Sequence, residues 1–264
     1  MFYGSVRRMA RILCIANQKG GVGKTTTAVN LAAALAIYEK KTLLVDCDPQ
    51  ANATTGIGVD KTRLRQTLYH GLLGEAGIED LIVGSEIASL KVVPSRVELI
   101  GFDIEMMAQP ERETALKRLL RPVGDDFDYI VIDCPPSLSL LTVNAMTAAD
   151  GLLIPLQCEF YALEGLSQLV QTFQRIRRSL NPHLQIAGIL LTMFDKRTNL
   201  SHQVAEDAEA HFKELVFKTI IPRNIRLSES PSFGKPILLY DAASIGSQSY
   251  FALAQEVMDR PMAN

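Results

Sequence analysis

The stretch Ile12-Leu13-Cys14-Ile15-Ala16-Asn17-Gln18-Lys19-Gly20-Gly21-Val22-Gly23-Lys24-Thr25-Thr26 runs from an apolar segment through three glycines into a helical pattern. A strand, a glycine-rich turn and a helix in that order aim backbone amides and a positive helix end at one point, which suits a polyphosphate. The small residues Gly20, Gly21, Val22 and Gly23 let the backbone wrap the phosphates. Lys24 stands where it reaches the terminal phosphates, and the Thr25 hydroxyl where it meets Mg²⁺. Thr26 follows in the first helical turn. A glycine turn with a capping threonine would not need Lys24-Thr25 at this distance behind a buried strand.

Outward from this loop, short apolar runs alternate with helical patterns. Thr42–Asp46, Leu90–Pro94, Tyr129–Asp133, Gly151–Leu156, Ile186–Thr192 and Phe217–Ile221 read, with Ile12–Ala16, as buried parallel strands. Helices are predicted over about 24–38, 111–121, 137–148, 161–180, 200–214 and 243–257, most with apolar residues at i, i+3 and i+4. The order predicts an α/β fold: a doubly wound, mostly parallel sheet of about seven or eight strands flanked by helices. The segment 56–89 is glycine-punctuated and polar, and reads as an excursion from the sheet. A flexible leader over 1–9, one domain over 10–258 and a tail over 259–264 are expected.

Composition narrows the function. The chain has 264 residues, 47% hydrophobic, enough to bury a core around one large sheet. With 27 Lys and Arg against 29 Asp and Glu, the net charge of −2 excludes binding of nucleic acid or anionic lipid by bulk attraction, so such binding needs a local patch. The four cysteines, Cys14, Cys47, Cys134 and Cys158, lie in or beside apolar runs without zinc-site spacing and read as buried thiols of a reducing cytoplasm. No window carries the roughly 18 apolar residues of a membrane span.

Three aspartates fall at predicted strand ends. Asp46 and Asp48 stand in Asp46-Cys47-Asp48-Pro49-Gln50, and Asp133 closes Tyr129-Ile130-Val131-Ile132 before Cys134-Pro135-Pro136-Ser137. Ligands of α/β sheets bind at that carboxyl edge, and Asp133 is placed to organise Mg²⁺ and its waters. A lone strand-end aspartate reads equally well as a helix cap, but three beside a phosphate loop do not.

The ordinary phosphate loop has glycine six positions before its lysine; here Gln18 stands there, and Lys19 follows it. The string Lys19-Gly20-Gly21-Val22-Gly23-Lys24-Thr25 resembles the deviant P-loop of the ParA/MinD ATPases. The resemblance spans nearly everything after Met9, including Gln157–Gly165, Leu191–Asp195 and Ile221–Asn224, and is densest with Soj-like ParA proteins. It implies a deviant-type P-loop fold, ATP and Mg²⁺ as cofactors, and a homodimer in which Lys19 reaches the partner's nucleotide. It further implies that Asp46 helps hold the magnesium shell and that Asp48 positions or activates the attacking water. The adenine is implied to lie against Met193 and Pro222-Arg223-Asn224. Nonspecific double-stranded DNA binding is implied through Arg197 and Arg226, with a ParB-type partner stimulating hydrolysis in a cytoplasmic, nucleoid-associated protein.

ATP is favoured over GTP because Thr192-Met193-Phe194-Asp195 stands where GTPases carry Asn-Lys-x-Asp. Two related readings stay open. A MinD-like membrane switch needs a basic amphipathic tail, whereas Val257–Asn264 is proline-broken and barely basic. A nitrogenase-type reductase needs cysteines that share an iron-sulfur cluster between subunits, and Cys134, which follows Asp133, lacks an evident surface partner for that.

Overall fold

The computed structural model describes residues 9–159 and 162–261. The predicted leader therefore lies outside the described residues except for Met9, as do the last three residues of the tail. Among the described residues seven strands form one sheet: β1 (Arg11–Ile15), β2 (Thr42–Asp46), β3 (Val83–Gly84), β4 (Leu90–Val93), β5 (Tyr129–Asp133), β6 (Gly151–Gln157) and β7 (Gln185–Thr192). Their spatial order is β3-β4-β2-β5-β1-β6-β7, with every pairing parallel except β3 with β4.

Parallel strands covered on both faces must be apolar throughout, and β2 is buried at all five positions. Alternate side chains of β1 feed the two halves of the core. Leu13 and Ile15 pack with the Lys24–Ile37 helix and with Tyr250 and Leu253 of the Ile245–Asp259 helix; Cys14 and Ala16 face Leu141 and Ala145 on the other side. The Lys24–Ile37 helix is buried almost all round, and its alanines allow both sheet and helix to approach closely. Leu31 and Leu35 on it are fully buried, worth about 1.5–3 kcal/mol each.

The predicted strand over 217–221 is not a strand, although it runs beside β7. Phe217 N donates to Ile189 O and Ile221 N to Leu191 O, both at 2.9 Å. Between them Lys218 N and Thr219 N turn instead to the Glu256 carboxylate, at 2.8 and 2.9 Å, so no continuous ladder forms. Phe217 also packs onto Gly188 of β7, where a Cβ would come within 2.4 Å of its ring. The polar excursion over 56–89 contains short helices, Leu68–Leu72 and Ile78–Leu81, and supplies the antiparallel edge strand β3.

Candidate nucleotide site

The loop between β1 and the Lys24–Ile37 helix turns through two left-handed glycines, Gly21 at φ 74° and Gly23 at φ 89°. A Cβ on Gly23 would meet nothing nearer than 3.8 Å, so the backbone angle, not the space, calls for glycine. Neighbouring strands pin the loop. The Thr192 hydroxyl at the end of β7 donates to Val22 O at 2.9 Å, and the Asn17 amide donates to Pro155 O of β6 at 2.7 Å. Asn17 Oδ1 also accepts Lys19 N at 3.0 Å.

Lys24 is buried, and its ammonium donates to Lys19 O at 2.9 Å. Burial lowers its pKa, while the charge of Asp133, and less so of Asp48, opposes that shift. Lys19 Nζ donates to Glu159 Oε2 at 2.9 Å, and the Gln157 amide bonds the other oxygen of that carboxylate. Glu159 is a neighbour of Lys19 that sequence reasoning did not single out.

Asp46 and Asp133 face each other as register partners on β2 and β5, both fully buried. Burial raises both pKa values. For Asp133 the charge of Asp46 adds to the rise, while the Thr25 hydroxyl and Lys24 counter it in part. Their hydrogen bonding differs. Asp46 Oδ2 accepts from the backbone and hydroxyl of Thr54, each at 2.7 Å, and Oδ1 accepts Asp48 N at 3.1 Å. Among the described residues, neither oxygen of Asp133 has a hydrogen-bond partner in good geometry. Asp48 follows β2, and its Oδ1 accepts Gln50 N at 2.9 Å.

Among the described residues no three His, Cys, Asp or Glu side chains gather into a metal cage. Magnesium does not need one, since it binds through phosphates, waters and one or two side chains. The unpartnered Asp133 carboxylate beside Thr25 suits that role, whereas the Asp46 oxygens are already engaged.

A family model described as an AAA domain matches residues 10–186. The chain is 56% identical over 252 residues to the chromosome partitioning protein ParA of Myxococcus xanthus, covering 96% of this chain and 89% of that one. It is 53% identical over 249 residues to the sporulation initiation inhibitor protein Soj of Bacillus subtilis, covering 94% and 98%. The chain belongs to the ParA/Soj family of partitioning ATPases. Among solved structures, cobyrinic acid a,c-diamide synthase of Mycobacterium smegmatis, with bound ADP and magnesium, superimposes with a TM-score of 0.82. It is 36% identical, with 94% of this chain and 93% of that chain covered.

In this ParA/Soj chain the two segments expected at the adenine lie side by side. Phe194 pairs with Pro222, and Arg223 N donates to Phe194 O at 3.0 Å. Met193 is held in the left-handed region at φ 51°, and Asn224 caps the Ile225–Glu229 helix through Arg226 N. Both expected DNA contacts are exposed, and both carry counter-ions. Arg197 grips Asp195 through Nε and Nη2 at 2.9 and 2.7 Å and holds that carboxyl well below its usual range. Arg226 pairs with Glu229 at 2.9 Å and Asp241 at 3.4 Å.

Cys134 points into the core, its sulfur 3.3 Å from that of Cys14, and both residues are fully buried. That position does not suit a cluster shared across a subunit surface. Among the described residues no helix is long and apolar enough to cross a membrane.

Proposed function

We propose that the protein is a nucleotide-switched partitioning ATPase: ATP with Mg²⁺ drives a sandwich homodimer, the dimer binds double-stranded DNA nonspecifically, and a ParB-type partner stimulates hydrolysis and release. The supporting observation is the convergence of Lys24, Asp48 and the unpartnered Asp133 carboxylate around a glycine loop at the carboxyl ends of β1, β2 and β5.

Loop amides and Lys24 hold the phosphates. Thr25 and Asp133 would hold magnesium, with Asp46 supporting them, and the ion would supply charge neutralisation at the phosphates. Asp48 orients the attacking water and takes its proton as ATP becomes ADP and phosphate. Lys19 adds its charge to the partner's nucleotide, so hydrolysis depends on assembly. Met193 and Pro222-Arg223-Asn224 flank the adenine, and Arg197 and Arg226 meet DNA phosphates. In this reading the protein works in the cytoplasm on the nucleoid, as one ATPase domain over 10–258.

The test compares binding to a duplex of arbitrary sequence without nucleotide, with ADP and with ATP, each with and without a cognate ParB-type protein. Binding that is tightest with ATP and relieved by the partner is expected. Equal binding in all nucleotide conditions would refute the switch.

A further inference from the structure

Thr54 stands eight residues beyond Asp46, outside every stretch that sequence reasoning assigned to the site, and it is fully buried. Its backbone N–H and its hydroxyl both donate to Asp46 Oδ2 at 2.7 Å. The hydroxyl oxygen in turn accepts Ser95 N, just past β4, at 3.0 Å. One side chain thereby ties together the end of β2, the short Asn52–Gly56 helix and the end of β4.

The chain between Asp46 and Thr54 contains Asp48 and is closed at three points. Asp48 N donates to Asp46 Oδ1, Gln50 N to Asp48 Oδ1 at 2.9 Å, and Ala51 N to Asp48 O at 2.8 Å. Ala51 sits at φ 55°, a left-handed conformation that a residue with a Cβ keeps only when its surroundings over-determine it. The Thr54 bonds to Asp46 close the segment that contains Ala51.

We propose that Thr54 is a positioning residue for hydrolysis: by fixing the Asp46 carboxylate and closing the segment that follows, it presents Asp48 to the attacking water. The proposal rests on the reading of Asp48 given above. Thr54 touches neither nucleotide nor water in this scheme, so its removal slows the chemical step and spares nucleotide binding.

Thr54→Val keeps the shape and deletes the hydroxyl, and Thr54→Ser restores it. Each variant is assayed as the full chain for ATP hydrolysis with a stimulating duplex, for binding of a non-hydrolysable ATP analogue by calorimetry, and for melting temperature. Thr54→Val should lose about tenfold to 100-fold in kcat. Its analogue Kd should stay within about threefold of wild type, as expected when only the chemical step is lost. Thr54→Ser should recover most of the rate. If the valine variant does not fold, Thr54→Ala carries the same expectation. Unchanged kcat, a parallel loss of analogue affinity, failure of Thr54→Ser to recover rate, or failure of both deletion variants to fold would each overturn the proposal. A wild-type chain that binds ATP without hydrolysing it would sink the role of Asp48, and this proposal with it.

Discussion

The ammonium of Lys19 lies 2.9 Å from the carboxylate of Glu159 in the same protomer. The cation proposed to serve the partner's nucleotide therefore already has a counter-ion, and assembly must separate the two. Both side chains are well exposed, at 39% and 46%, so the pair is worth only about 0.5 kcal/mol. A symmetric dimer breaks it twice, which adds to about 1 kcal/mol, or about fivefold in the dimerisation constant. Glu159→Gln should accordingly let the ATP-bound dimer form at about fivefold lower protein concentration in sedimentation experiments. A weaker dimer would mean that Glu159 works for the assembled state instead.

Asp133 couples stability to the site. Burial, with the charge of Asp46, raises its pKa, so the folded chain holds this proton more tightly than the unfolded chain does. Its contribution to stability is full below the unfolded value of about 4 and is lost as pH rises through the folded value. At pH 8, well above the unfolded value, the readiness of the unfolded chain to lose this proton favours unfolding. Asp133→Asn, without nucleotide and with a chelator, should be more stable there by about 1 kcal/mol, raising the melting temperature by about 2–4 °C. The gain should shrink toward pH 4, and hydrolysis should be lost. A melting temperature at pH 8 no higher than wild type would count against this account.

Much of this was legible because it is carried by local pattern. β1, β2, β4, β5, β6 and β7 are largely buried, mostly apolar runs bounded by turn residues, and the loop glycines and Lys24 are fixed by what a phosphate requires. The segment 217–221 misled because its composition suits a strand, while its pairing is decided by Glu256, 37 residues beyond Thr219. β3 has only two residues and no periodicity to show. Thr54 and Glu159 escaped for a related reason. A threonine in a polar loop and a glutamate after a strand have no distinctive spacing, and their importance arises only when the sheet brings Asp46 and Lys19 to them.

The two charged residues at the heart of the site should fail in opposite ways. The Lys24 ammonium donates to one loop carbonyl, Lys19 O, and its charge eases the ionisation of Asp133, so Lys24→Ala should leave a folded chain with no measurable ATP binding and no dimer. Asp48→Ala removes the group proposed to receive the water's proton but leaves the phosphate loop whole. It should bind ATP, remain dimeric on DNA, and hydrolyse at least about 100-fold more slowly. Chromatography with light scattering, with ATP present, separates the two outcomes, and a monomeric Asp48→Ala would contradict the proposed cycle.

Arg226 offers the sharpest test of the DNA face because its present partners are known. It sits between Glu229 and Asp241, and a guanidinium has five N–H donors, so it can keep these carboxylates and still reach a phosphate. Reversal to glutamate would gather three carboxylates and disturb the Ile225–Glu229 helix. Arg226→Gln instead removes the charge with little change of shape. Binding to a duplex of arbitrary sequence should weaken. The slope of log affinity against log salt should fall by about 2 per dimer, one released counterion for each protomer. ATP-dependent dimerisation should be unaltered. Fluorescence anisotropy at several salt concentrations gives the slope directly, and equal slopes for Arg226→Gln and wild type would remove Arg226 from the interface.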